Sequence, residues 1–230
     1  FLTQPKPGGI RALVAFDRAN GKQLWEATMR WEGDDPTHPT NPHASASPVT
    51  DGERVVAWFG SAGIAAYDLG GKEIWRRDLG RQRHTWGYAS SPVIHGDRVF
   101  LNFGPGDRAF LVALDKRTGK TLWQMEIPAG EGAKFANWDA KDMYGSWSTP
   151  LVVRDGDRDL LVVSHPRKLV AYDLESGKAV WSADGMGDLV YPSPIIGQTS
   201  KGERVIVAPS GFQGPSMAVK IGGERLWHMA

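Results

Sequence analysis

The residues that could bind or transform a ligand are concentrated in four stretches rich in aromatic, histidine and acidic side chains. The first, residues 28–44, carries Trp31, Asp34, Asp35, His38, Asn41 and His43. The second carries Arg81, Arg83, His84, Trp86 and Tyr88. The third, residues 127–146, carries Lys134, Asn137, Trp138, Asp139, Asp142 and Tyr144, and the fourth carries Asp188 and Tyr191. Aromatic faces mixed with polar groups suit a peptide, a sugar or a small ligand.

Eight of these residues form the predicted ligand-binding set. They are His43, His84, Trp86, Tyr88, Trp138, Asp139, Tyr144 and Tyr191. Four of them, His43, Tyr88, Tyr144 and Tyr191, each stand shortly before a recurring Ser-Pro segment, and we expect them to surround the mouth of one channel. The alternative is that these side chains only fill the channel.

Catalytic chemistry has weaker support in the sequence. His38, His43 and His84, with Asp34 and Asp35 nearby, are residue types that hold zinc, but no pair has the spacing of a metal motif, so no metal site is predicted. Serines recur in every repeat, at 45, 47, 90, 91, 146, 148 and 193. A nucleophile would be singular, so we expect these hydroxyls to satisfy backbone groups, and no catalytic residue is predicted.

Composition limits the possible partners but does not locate the protein. Lys and Arg number 27 and Asp and Glu number 26, and a net charge of +1 gives no electrostatic reason to expect nucleic acid. The absence of Cys excludes disulfides and thiolate metal sites. No apolar run approaches the roughly 20 residues of a membrane span, so membrane insertion is not predicted, and no signal peptide is visible.

A repeat of about eleven residues positions the four stretches. The sequence AFDRANGKQLW at 15–25 recurs as ALDKRTGKTLW at 113–123 and as AYDLESGKAVW at 171–181. A copy one residue shorter, AYDLGGKEIW, lies at 66–75. A degenerate copy at 218–227 has Lys220 in place of the Asp. A second element, with a Ser-Pro core, precedes each of the last four copies at 45–49, 89–93, 147–152 and 191–196.

These elements predict four short strands in each unit, termed A to D. Turn residues such as Asp51-Gly52 lie between strands A and B, and one Gly recurs between strands C and D at 21, 71, 119, 177 and 223, where a tight hairpin requires it. A four-stranded antiparallel unit repeated every 46 to 58 residues is typical of a β-propeller blade. A parallel α/β array would need long helical patterns, and none is found.

The repeats resemble those of pyrroloquinoline-quinone-type propellers, whose consensus is Ala-x-Asp-x-x-Thr-Gly-x-x-x-Trp. The resemblance implies that the strand-D tryptophans lock neighbouring blades together; these are Trp25, Trp75, Trp123, Trp181 and Trp227. The family includes dehydrogenases that bind the quinone with calcium, the lipoprotein of the outer-membrane barrel-assembly machinery, which binds protein, and exported bacterial proteins of unknown role. The sequences of residues 41–45 and 86–92 are most similar to those of the last group.

We therefore predict an all-β protein with about four and a half blades of a ring of seven or eight. The expected units are a partial blade at 1–27 and blades at 45–78, 88–126, 147–183 and 191–230. Three residues follow Trp227, so the chain is expected to be the middle of a larger propeller, and a five-bladed ring with one defective blade is the alternative. An open arc would expose apolar faces and favour self-association.

The predicted function is a non-catalytic scaffold that binds a protein, a peptide or another ligand, without a cofactor. One alternative is part of a quinone- and calcium-dependent oxidoreductase, although neither the adjacent cysteines of those enzymes nor their Asp, Glu and Asn set can be placed here. The other alternative is a carbohydrate-binding propeller. The resemblance implies a periplasmic or otherwise exported location.

Overall fold

The structure is a computed structural model that describes residues 1–132, 138–211 and 214–229. Within them, the chain forms five successive antiparallel sheets, the blades of a β-propeller. Blade I contains β1 (Leu2–Lys6), β2 (Ile10–Phe16) and β3 (Gln23–Arg30). Blade II contains β4 (Val49–Thr50), β5 (Arg54–Trp58), β6 (Ile64–Asp68) and β7 (Glu73–Arg77). Blade III contains β8 (Val93–His95), β9 (Arg98–Phe103), β10 (Ala109–Asp115) and β11 (Thr121–Ile127).

The last two blades are each preceded by a two-residue strand. β12 (Gly145–Ser146) precedes blade IV, which contains β13 (Leu151–Asp155), β14 (Arg158–His165), β15 (Lys168–Asp173) and β16 (Ala179–Asp184). β17 (Leu189–Val190) precedes blade V, which contains β18 (Ile195–Gln198), β19 (Arg204–Pro209), β20 (Ser216–Lys220) and β21 (Arg225–Met229). β12 and β17 pair in parallel and so connect blades IV and V. The two helices of the described chain, Gly60–Ala62 and Ala140–Met143, are single 3-10 turns, far too short to cross a membrane.

The core lies between the blades. Because side chains alternate across a strand, neighbouring residues of one strand pack against opposite neighbouring blades. In β5, Val55 packs in the cluster shared with blade I, whereas Val56 and Trp58 pack in the cluster shared with blade III. In β9, Phe100 belongs to the cluster shared with blade IV. This arrangement explains the nearly continuous apolar runs in the sequence, because both faces of a middle strand are buried.

In blades I to IV, the tryptophan of strand D packs onto the C–D turn of the next blade. The indole Nε1 of Trp25 donates to the Leu69 carbonyl at 2.8 Å, and those of Trp75 and Trp123 donate to the Lys116 and Leu174 carbonyls at 2.9 Å. The recurring turn glycine lies against the same ring. A Cβ on the glycines at 71, 119, 177 and 223 would come within 2.7 Å of the preceding blade's indole. The glycine therefore serves both the turn and the docking of the blades.

The contact between the indole and the next C–D turn is weaker at blade V, where the repeat is degenerate. In the other copies the Asp carboxylate holds the turn, as when Asp115 Oδ1 accepts from the amides of Arg117 and Thr118 at 3.0 and 2.8 Å. Lys220 cannot accept such bonds. The Trp181 Nε1, which faces this turn, has no hydrogen-bond partner among the described residues. Trp227 in β21 is 44 % exposed, and no described turn covers it.

Replacing Gly177 with alanine is expected to destabilise the chain by about 2–4 kcal/mol, because the added Cβ meets the Trp123 ring at 2.7 Å and the backbone φ is +69°. The matched control is Gly21→Ala, at the same turn position with φ +72°, where a Cβ would meet no described atom within 4 Å. In that control the free energy of unfolding should fall by only about 1–2 kcal/mol, which is the cost of the left-handed backbone conformation alone. Urea unfolding of both variants measures the difference, and equal losses would show that the ring contact is unimportant.

Hydroxyl groups connect the strand-A segments of neighbouring blades. The Ser47 amide donates to Ser91 Oγ at 2.9 Å, the Ser91 amide to Thr149 Oγ1 at 3.0 Å, and the Thr149 amide to Ser193 Oγ at 2.9 Å. The expectation that the recurring serine hydroxyls satisfy backbone groups is confirmed for Ser91 and Ser193, whereas the Ser90 Oγ is buried without a hydrogen-bond partner among the described residues. The ladder aligns the blades, and therefore the connections that lead into them.

Candidate functional site

The four long connections between blades converge on one open groove. It has a volume of about 480 Å³ and takes residues from every one of the four connections. We call it the aromatic groove; its walls are His38, Thr40, Asn41, Trp86, Ala89, Trp138, Trp147 and Tyr191. The side chain of Trp147 is buried, whereas those of Trp86, Trp138 and Tyr191 are half-buried.

The aromatic rings of the groove contact one another around Trp86. The Trp86 ring stacks with Trp147, with centroids 6.0 Å apart and planes 24° apart, and with Tyr191, with centroids 5.9 Å apart and planes 26° apart. Trp138 meets the Trp86 ring edge-on at 5.2 Å. These offset and edge-on geometries are the favourable ones for aromatic pairs, so the rings support one another in fixed positions.

The backbone of Trp86 is held from three sides. Its amide donates to His84 Nδ1 at 3.1 Å, and its carbonyl accepts from Asn41 Nδ2. The next carbonyl, of Gly87, accepts from Trp147 Nε1 at 3.0 Å. The Trp86 Nε1, by contrast, has no hydrogen-bond partner among the described residues. The groove thus presents a preorganised aromatic wall, and the Trp86 N–H is buried behind it.

A second cavity, of about 470 Å³, adjoins the groove. Its walls come from the 104–107 hairpin loop of blade III, from residues 83–85, 127–130 and 141–146 of the connections, and from the end of β14. We call it the histidine pocket, after His84 and His165, which are 5 % and 2 % exposed. The His84 ring meets Trp147 edge-on, with centroids 5.0 Å apart, so these two side chains form part of the partition between groove and pocket.

Both histidines of this pocket are neutral at physiological pH. Burial lowers the pKa of His84 to about 4, although the carboxylates of Asp142 and Asp107 raise it in part. Burial, with a smaller contribution from Lys168, lowers the pKa of His165 to about 3. Both values lie well below the ordinary histidine pKa of 6.5, because the charged ring loses its hydration in the protein interior.

Stability is expected to fall as the pH falls from about 6.5 towards 4. In this window the two histidines become protonated in the unfolded chain but stay neutral in the folded one, so the unfolded state binds more protons. Each histidine contributes a loss of roughly 1.4 kcal/mol per pH unit over this range. Urea unfolding of wild type and His84→Phe at several pH values checks this. The variant should show the shallower slope, and parallel slopes would contradict the prediction.

Comparison with known proteins identifies the family. The sequence matches the family model described as outer membrane protein assembly factor BamB, over residues 7–184 and again over 107–230. The chain belongs to the BamB family. It is also 27 % identical over 151 residues to a polyvinylalcohol dehydrogenase of Pseudomonas sp., a match that covers 52 % of this chain and 23 % of that protein.

Solved structures similar to this BamB-family chain include both dehydrogenases and BamB itself. The quinohemoprotein alcohol dehydrogenase of Comamonas testosteroni has a TM-score of 0.65 at 16 % identity, covering 96 % of this chain and 41 % of that one. A europium-containing methanol dehydrogenase has a TM-score of 0.62 at 15 % identity, covering 95 % and 47 %. BamB from Moraxella catarrhalis has a TM-score of 0.51 at 17 % identity, covering 98 % and 71 %. The chain thus spans less than half of these dehydrogenases, and the likeness shows the propeller fold.

Five of the predicted site residues of this BamB-family chain line the two cavities. Trp86, Trp138 and Tyr191 lie in the aromatic groove. His84 and Tyr144 lie in the histidine pocket, where the Arg167 guanidinium covers the Tyr144 ring at 5.3 Å. The predicted loop residues Lys134 and Asn137 lie outside the described residues.

The structure places the other three predicted residues elsewhere. Tyr88 is a core residue, 2 % exposed, with its ring 4.7 Å from that of Trp58 and its hydroxyl donating to the His43 carbonyl at 2.7 Å. His43 is half-buried beside it and lines neither cavity. Asp139 is exposed and outside both linings; its carbonyl accepts from the Asp142 amide at 2.9 Å. The expected ring of His43, Tyr88, Tyr144 and Tyr191 is therefore not formed.

Two site residues were missed, Trp147 and His165. Trp147 could have been found by counting back from the recurring proline. Ala89, Trp147 and Tyr191 each stand three positions before it, and all three line the groove. The four residues predicted to surround the channel mouth do not share one position. They stand three, four, five and six positions before the recurring proline. His165 ends an apolar strand, and no sequence pattern singles it out.

The described part of the chain contains no cluster of three or more His, Cys, Asp or Glu residues that could hold a metal ion. His38 lies in the groove with its Nδ1 2.8 Å from Thr40 Oγ1, and His84 lies in the pocket. His38 and His84, which the sequence analysis considered together as zinc ligands, therefore lie in different cavities.

Proposed function

We propose that this chain is a non-catalytic binding segment of a propeller scaffold and that its aromatic groove holds a polypeptide segment. The observation that carries the proposal is the convergence of all four blade connections on one wall of stacked rings. Aromatic residues are the side chains most enriched at protein-binding surfaces, because they offer a large contact area and lose little entropy.

The polar features of the groove suit a peptide backbone. His38, Thr40 and Asn41 add polar side chains to the lining of the groove. Their imidazole, hydroxyl and amide groups can exchange hydrogen bonds with the main chain of a ligand. A rim of this kind around an apolar centre is the usual anatomy of a protein interface.

The family supports the same proposal. Its model is described as an outer membrane protein assembly factor, which is a role in handling other polypeptides. We propose accordingly that the protein acts outside the cytoplasm, and that the segment it holds is rich in the aromatic residues of membrane-facing strands.

A quinone-dependent oxidoreductase is the second candidate, favoured by the dehydrogenases among the similar proteins. The described residues do not fit this cofactor. They contain no group of three or more acidic or histidine side chains placed to hold calcium, and the chain has no cysteine pair to cover a quinone.

Tryptophan fluorescence and calorimetric titrations test the proposal. The probe is a twelve-residue peptide that alternates Phe or Tyr with Thr, and its matched control has Ser at each aromatic position. We expect saturable binding of the aromatic peptide alone. Binding of cellohexaose in place of the peptide would support the carbohydrate alternative, and binding of neither would remove the proposal. Quinone- and calcium-dependent oxidation of an alcohol by the chain would establish the second candidate.

A further inference from the structure

The strand-D tryptophans of blades I to IV each rest on two residues of the next blade. One is the C–D turn glycine, and the other follows the recurring alanine of strand C. In blade II these residues are Gly71 and Tyr67: the Trp25 ring lies against the glycine and packs in one cluster with the tyrosine. We call this pair of residues the indole seat. Its second residue is at most 5 % exposed in blades II to V, where an indole lies on the seat.

Blade I has the same indole seat, and no indole of the described residues lies on it. Phe16 stands at the position of Tyr67 and is 39 % exposed. A Cβ on Gly21 would meet no described atom within 4 Å, whereas in the occupied seats it would come within 2.7 Å of an indole. The turn itself is well formed, because Asp17 Oδ1 accepts hydrogen bonds from two backbone amides at 2.8 and 3.2 Å. The seat of blade I is therefore fully built and exposed.

Blade V presents the other half of this contact. One row of paired residues crosses its outward face: Ile195, Val207, Ala218 and Trp227. The equivalent row of blade IV packs against blade V; it consists of Leu151, Val162, Ala171 and Trp181. In blade V, Ile195 is 59 % exposed and Trp227 is 44 % exposed, and Met229 on the same face is 64 % exposed. Neighbouring apolar side chains left in solvent in this way mark an interaction surface.

We propose that blade V of one copy of this chain docks head to tail on blade I of a second copy, with Trp227 on the seat formed by Phe16 and Gly21. Both halves of the contact are present in one chain, and they fit each other because the same contact already joins its successive blades. The Arg18 carbonyl, at the position of that of Leu174, is the expected acceptor for Trp227 Nε1. The inference does not depend on the function proposed for the aromatic groove.

This contact is heterologous, because it joins two different surfaces of the two copies. Every assembly therefore keeps one free seat and one free indole, and it adds further copies until a ring closes. The average mass in solution should accordingly rise with the concentration of the chain.

Sedimentation velocity of the chain over a range of concentrations tests this proposal. Trp227→Ser and Phe16→Ser should each weaken association by about 30-fold or more, the effect of removing a central residue of an interface. Both side chains are exposed, so these variants should keep the fold, which circular dichroism checks. The matched control is Leu122→Ser. Leu122 is 48 % exposed but lies on β11 of blade III, so its loss should leave association unchanged.

A mixture of the two variants gives the decisive readout. Trp227→Ser keeps an intact seat and Phe16→Ser keeps an intact indole, so the mixture should form a dimer of one of each and nothing larger. A wild-type chain that stays monomeric at every concentration, including one in which blade V closes on its own blade I, would overturn the proposal. Association that survives Trp227→Ser, or a mixture that stays monomeric, would overturn it as well. Peptide affinity should be the same in Trp227→Ser and wild type, so this proposal and the proposed function can fail separately.

Discussion

Replacing Asp35 with alanine is expected to lower the free energy of unfolding by about 3–5 kcal/mol, the range measured when one partner of a buried ion pair is removed. The Asp35 side chain is 4 % exposed and so is that of Arg11, whose Nη2 lies 3.5 Å from Asp35 Oδ2. The other oxygen, Oδ1, accepts from Arg81 Nε at 3.1 Å. Without the carboxylate, the Arg11 guanidinium stays buried with its charge uncompensated.

The neighbouring Asp34 offers a matched control. Its side chain is exposed, and only its backbone carbonyl takes part, as an acceptor for Arg81 Nη2 at 2.5 Å. Asp34→Ala removes the same charge one residue away and should cost less than about 0.5 kcal/mol. Asp35→Asn keeps the volume and isolates the charge. Urea unfolding of the three variants checks the order, and an Asp35→Ala loss no larger than that of Asp34→Ala would contradict the prediction.

This ion pair also connects stability to the site. Arg11 in β2 donates to the Phe59 carbonyl of blade II, and Asp35 belongs to the connection that supplies His38, Thr40 and Asn41 to the groove. Loss of Asp35 should therefore loosen one wall of the groove, because that wall lies on a connection without strands of its own. Peptide affinity should fall together with stability in Asp35→Ala and should be unchanged in Asp34→Ala.

The blades could be predicted from the sequence because each is specified locally. The turn glycine and the strand-D tryptophan recur at one spacing, and the structure shows why: the glycine of one blade is the surface on which the previous blade's ring lies. The Ser-Pro segment could also be recognised from the sequence, since its hydroxyls accept hydrogen bonds from backbone amides of the neighbouring blade. A requirement that acts in every blade leaves a periodic signal, and periodic signals are the most reliable ones in a sequence.

The site was predicted only in part because several of its members do not recur from blade to blade. Trp86, Trp138 and Tyr191 were found as aromatic residues of the connections, but loop conformation decides which aromatic side chain is buried. Tyr88 packs under the groove on Trp58, and Trp86, two positions earlier, lines it. His165 depends on a cavity formed between blades, which no local pattern reports. Trp86, Tyr88 and His165 owe their positions to long-range packing, whereas Ala89, Trp147 and Tyr191 share one spacing before the recurring proline.

Replacing Trp86 with alanine is expected to weaken binding of the aromatic peptide by roughly 30-fold or more, about 2 kcal/mol, the effect of a tryptophan at the centre of an interface. Trp86 contacts Trp138, Trp147 and Tyr191, so its removal also releases the rings that would flank the ligand. Trp227→Ala, in β21 and 44 % exposed, removes a tryptophan outside the groove and should leave affinity unchanged.

Trp86→Phe tests how much of this contribution needs the full indole ring. Phenylalanine keeps a smaller aromatic face for stacking, and the indole N–H that it lacks is buried in the free protein. We expect it to weaken binding about three- to tenfold, less than alanine does, because part of the aromatic contact area is kept. Circular dichroism and urea unfolding establish that each variant is folded before titration. If Trp86→Ala bound the peptide as tightly as wild type while folded, the groove would not be the binding site, because every ring in it is arranged around Trp86.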